Sequence, residues 1–123
     1  MAVNFEVEDG IIALQMIGVY APDDIKQALL TGLEHSRSSP SVGLMFDVSR
    51  SASLRTRSSD DVIRMGYFLA QHADAFARRV ALVAFDDFPF GMMRMGQVIL
   101  QREGVTAEVF REEKNAREWL HAP

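Results

Sequence analysis

The 123-residue chain has no cysteine. Disulfide staples, thiolate nucleophiles and cysteine-based zinc sites are therefore excluded, and the fold has to be held by packing alone. No apolar run approaches the length of a membrane span, and Met1-Ala2-Val3-Asn4-Phe5-Glu6 lacks the basic and apolar regions of a signal peptide. The expectation is a soluble cytoplasmic protein. Basic excess is missing too: 17 acids against 13 bases give a net charge of -4, so wholesale nucleic-acid binding is not expected. Gly91 to Gly96 lacks both the strand-turn fingerprint and the lysine of a phosphate loop. His35, His72 and His121 stand singly on separate predicted helices, so no metal pair and no cofactor are expected. No repeat or low-complexity tract divides the chain, and one domain over residues 1–123 is expected.

What is present is a regular alternation of strand and helix signals in a chain that is 48% hydrophobic. Val3 to Val7 alternates inward valine and phenylalanine with outward asparagine and glutamate, the period of a half-buried strand. Asp9-Gly10 then leads into Ile11 to Ile17, and an Asp-Gly pair between two such runs predicts a hairpin. Pro22-Asp23-Asp24 opens a helix with Ile25, Ala28, Leu29 and Leu33 on its buried stripe, ended by Ser38-Ser39-Pro40. Val42 to Val48 is apolar enough for a strand covered on both faces.

After a Ser/Arg-rich stretch from Ser49 to Ser59, Ser58-Ser59-Asp60-Asp61 starts a second helix whose inner face is Val62, Met65, Leu69, Ala73 and Phe76. Val80 to Phe85 is the next buried strand. A methionine-rich helix runs from about Pro89 to Arg102 and is capped at Gly104. Ala107 to Phe110 is a short strand, and Glu112-Glu113 opens a last helix with Ala116, Trp119 and Leu120 inward. The order ββαβαβαβα predicts an α/β domain: a mixed five-stranded sheet, parallel except for the first hairpin strand, with four helices.

That order, together with Val80-Ala81-Leu82-Val83-Ala84-Phe85-Asp86-Asp87, Phe90-Gly91-Met92-Met93-Arg94 and Val109-Phe110-Arg111-Glu112 leading to Ala116-Arg117-Glu118-Trp119-Leu120, resembles the SpoIIAA-like branch of the STAS superfamily. The resemblance covers nearly the whole chain. It implies a STAS/SpoIIAA-like fold. It also implies control by phosphorylation of a serine at the start of the helix that follows the Asp-ending strand, a place held here by Ser58 and Ser59.

In open parallel sheets ligand sites lie beyond the carboxyl ends of the strands, so the loops after Ile17, Val48 and Phe85 define the rim to inspect. There Ser58 and Ser59 are helix caps or phosphorylation sites. Asp47 with Asp86 and Asp87 forms either turn and cap chemistry or a carboxylate site for a hard cation. Arg50, Arg55 and Arg57 form a basic loop, solvated or able to take an anion or a phosphorylated partner. Met92, Met95 and Ile99 share the core face of their helix. Met93, with Phe88, Phe90 and the nearby Arg94, is either packed away or part of an apolar ligand mouth or self-association face. The first reading is a non-enzymatic interaction or regulatory domain with a protein partner or a second copy. The alternative is a small carrier or sensor of an apolar or amphipathic ligand near Phe88, Phe90 and the methionine helix. An enzymatic reading through a metal at the aspartates ranks last.

Overall fold

The computed structural model describes residues 2–35 and 41–122. The hairpin forms as its turn chemistry dictates. Strands β1 (Val3–Glu8) and β2 (Ile11–Gly18) pair antiparallel, and Asp9 and Gly10 both take positive φ, 53° and 80°. Helix α1 (Pro22–His35), strand β3 (Gly43–Ser51), helix α2 (Ser59–Gln71), strand β4 (Arg79–Val83), helix α3 (Asp87–Arg102), strand β5 (Thr106–Phe110) and helix α4 (Glu113–His121) follow. The five strands stand in chain order, with β2 through β5 parallel. The α/β class, the mixed sheet and the four helices are as the sequence predicts.

Strand order decides where the helices go. Crossovers between parallel strands are right-handed almost without exception, and every crossover here steps in the same direction across the sheet. All three connecting helices therefore land on one face. Leu14, Leu44, Phe46, Val80 and Leu82 of that face pack with Leu29, Leu69, Met92 and Leu100 from the helices. Among the described residues only α4, which follows the last strand, is left for the other face. Its Ala116 and Leu120 cover Ile11, Ala13, Met45, Ala81 and Val83, with Trp119 at the margin. No helix among the described residues is long and apolar enough to cross a membrane.

Several local readings need correction. Val7, expected inward, is 44% exposed: β1 is an edge strand and α1 does not reach over its far end. Strand β4 stops at Val83 and Phe85 turns out to solvent, because the chain is already bending into α3. Ala73 and Phe76 are buried as expected but not on α2. They lie on a separate 3-10 turn (Ala73–Phe76) closed by Ala77 in the left-handed region. β3 runs on through Ser51, past a bulge where Asp47 to Arg50 faces Gln15 to Ile17. The expected end of α1 at Ser38-Ser39-Pro40 lies outside the described residues.

Candidate functional site at the carboxyl rim

The ends of β2, β3, β4 and β5 point the same way, so the loops after them form one rim. Two arginine straps organise it. Arg57 donates to the Tyr20 carbonyl and lies 5.4 Å from the centre of the Tyr20 ring. Tyr20 is buried, its hydroxyl pairs with the Ser51 hydroxyl at 2.8 Å, and the buried Ser53 hydroxyl donates to its carbonyl at 3.4 Å. The start of α2 is thereby tied to the β2–α1 loop. Arg57 is thus engaged within the fold, not a member of a solvated basic loop.

The second strap is one the site reading missed. Adjacent strands β4 and β5 send their helices to opposite faces, and a parting of that kind opens a crevice at the carboxyl edge, the usual ligand position in α/β sheets. Here Arg111 spans it. Its guanidinium donates to the Phe85 carbonyl at 2.8 Å and the Asp87 carboxylate at 2.7 Å, and sits 4.1 Å from the centre of the Phe90 ring. The signal available in the sequence was an arginine placed directly after a strand that ends beside an Asp-Asp turn.

The remaining site residues fall in different places. Asp47 is 4% exposed and accepts from the Ser49 N–H at 2.9 Å, so its carboxylate caps the bulge in β3. Asp86 is exposed at the N-cap position of α3, and Asp87 is held by Arg111. No group of three or more His, Asp or Glu side chains able to hold a metal occurs among the described residues. Met93 is 5% exposed and packs in the main core beside Met92, so it does not line an outer apolar mouth. Arg94 points outward from α3. Arg94 and Arg50 are exposed and have no hydrogen bond or ion pair among the described residues. Arg55 lies on the 3-10 turn Leu54–Thr56, and its side chain is outside the description.

Ser58 is the N-cap of α2. Its hydroxyl accepts from the Asp61 N–H at 3.1 Å, and its own N–H donates to the Asp61 carboxylate at 3.3 Å. This reciprocal box satisfies two donors that the first turn would otherwise leave open. Ser58→Ala is expected to cost about 1 kcal/mol, read as a lowered urea midpoint with an unchanged slope. Ser59 sits exposed at the first helical position.

Among the exposed charged residues of the rim, Arg50, Asp86 and Asp87, stand three large exposed apolar side chains. Val19 is 76% exposed, Phe85 63% and Phe88 43%, on the loops after β2 and β4 and the first turn of α3. Beneath the Tyr20–Arg57 strap is a cavity of only about 40 Å³, lined by Ile25, Phe46, Leu54 and Met65 among others. That is close to the volume of one water and far below the roughly 300–1,000 Å³ of small-molecule pockets. No family model, no curated protein and no solved structure matches this chain.

Proposed function

We propose that this chain is a non-catalytic interaction domain of SpoIIAA-like type that binds a protein partner through its carboxyl rim. One observation carries the reading: Phe85, with Val19 and Phe88, stands exposed on loops that Arg57 and Arg111 hold in place. Buried aromatic side chains are among the usual anchors of protein interfaces, and Phe85 and Phe88 stand close together in the chain at one strand exit. Arg50 adds an exposed positive charge to the same rim, suited to an acidic or phosphorylated segment. The resemblance to anti-sigma-factor antagonists supports regulation at the start of α2. Ser59 offers the accessible hydroxyl, while a phosphate on Ser58 would crowd the Asp61 carboxylate.

The test is quantitative capture from the source cell's lysate with the wild-type chain and a Phe85→Ser/Phe88→Ser variant. A partner held by the wild type is expected to bind the variant about 30-fold or more weakly, the loss of a typical pair of interface anchors. Equal recovery on both baits would remove the rim from the argument. Phosphopeptide mapping of the protein purified from its own cells checks the switch, and an unmodified Ser58–Ser59 peptide under every growth condition would end that part of the reading.

A further inference from the structure

The sheet has a second binding feature at its first edge, independent of the rim. Among the described residues β1 pairs only with β2. The Ile17 N–H donates to the Ala2 carbonyl at 2.7 Å, which sets the alternation of the antiparallel ladder. Ala2, Asn4 and Glu6 turn their main-chain groups toward β2, and Val3, Phe5 and Val7 turn theirs outward. Beside that edge an open groove of about 450 Å³ runs between β1 and α1, its mostly apolar wall made by Val3, Phe5, Ala28 and Gly32, with Asp24 and His35 of α1 also lining it. Gly32 permits the close approach, since a Cβ there would collide with the Phe5 ring. On the other face of the same strand Glu6 and Glu8 are exposed, and the nearest base, Arg117, reaches Glu8 only at 3.9 Å.

These features specify an occupant. A strand added to an edge alternates its side chains between the two faces. Residues opposite Val3 and Phe5 meet the groove and are favoured when apolar, and one opposite Val7 meets that exposed side chain on the same face. Residues opposite Glu6 and Glu8 face carboxylates that Arg117 only partly offsets, which favours basic side chains there, while the position opposite Asn4 meets a neutral amide. A second copy of this chain does not satisfy that pattern. Pairing β1 with itself about Glu6 or Val7 sets glutamate against glutamate, and pairing about Phe5 gathers the glutamates of both copies on one face. We propose that the β1 edge binds an extended peptide segment of alternating apolar and basic residues, adding it to the sheet as a further strand.

The test uses a synthetic peptide of alternating valine and lysine, titrated into the ¹⁵N-labelled full chain, with a valine–glutamate peptide as the charge control. Saturable shift changes are expected in β1 and along the α1 flank from Asp24 to His35, with slowed exchange of the Phe5 and Val7 amides. The glutamate peptide should bind about tenfold or more weakly. Val7→Pro removes one outward N–H without touching the ladder to β2 and should weaken the lysine peptide by about tenfold or more at an unchanged circular dichroism spectrum. Glu6→Lys with Glu8→Lys, both exposed and outside the core, should invert the preference between the peptides. The Phe85→Ser/Phe88→Ser variant should bind the lysine peptide as the wild type does, which separates this edge from the rim. No binding, equal binding of both peptides, shifts confined to the rim, or a preference unmoved by charge reversal would overturn the proposal.

Discussion

Phe76→Ala is expected to lower the stability of this protein by about 3–5 kcal/mol, against a total of roughly 5–15 kcal/mol for domains of this kind. Phe76 is fully buried and belongs to the main core. It hangs from a 3-10 turn whose path is held by the main chain. The Arg78 N–H donates to the Ala73 carbonyl at 2.9 Å, and Ala77 and Arg78 both take positive φ. A turn pinned in this way cannot sink into the space the ring leaves, so the cavity term is added in full to the lost transfer energy. Phe85→Ala is the matched control. Phe85 is 63% exposed and its truncation should move the urea midpoint by no more than about 0.5 kcal/mol equivalent. If the two substitutions proved equally costly, the assignment of one ring to the core and the other to the surface would be wrong.

Gly43→Val is expected to cost about 2–4 kcal/mol, from overpacking together with backbone strain. Gly43 begins β3 at φ +157°, and a Cβ there would lie 2.5 Å from Leu120 and 3.1 Å from the Arg79 carbonyl. Leu120 is the main apolar anchor of α4, and Arg79 is the residue that secures that helix. Arg79 donates to the Trp119 carbonyl at 2.8 Å and lies 4.3 Å from the centre of the Trp119 ring. A side chain at position 43 therefore pushes α4 outward. Since α4 alone covers the second face, Ile11, Met45 and Val83 would lose their cover. Heat or urea unfolding should register the loss, and dye binding to exposed apolar surface should rise in the folded baseline. A variant as stable as the wild type, with no added dye binding, would contradict the packing of α4 on β3.

The elements were legible where local chemistry is self-sufficient. Asp9-Gly10 demands positive φ, the capping box at Ser58 and Asp61 needs only four residues, and Gly104 ends α3 at φ 83°. Less legible were residues whose fate depends on what lies above them. Met93 and Phe85 are both large and apolar, each beside charged neighbours, yet one is core and the other surface. Periodicity alone could not separate them, because the bend from β4 into α3 rotates Phe85 away and turns Met93 inward. The arginines were harder still. A guanidinium in a polar stretch reads as an anion site, whereas Arg57 and Arg111 each spend their donors on a main-chain carbonyl and their flat faces on a ring.

The residue order by itself settled that this would be an α/β chain opening on a hairpin, with buried central strands and helices between them. Those properties follow from periods of two and 3.6 and from turn residues that few other conformations accept. Tertiary structure decided the rest. Because the strands stack in chain order and the crossovers keep one hand, three helices crowd one face and a single helix guards the other. The same handedness parts the exits of β4 and β5, and the Arg111 side chain, far from Phe85 along the chain, spans the gap to the Phe85 carbonyl and the Asp87 carboxylate.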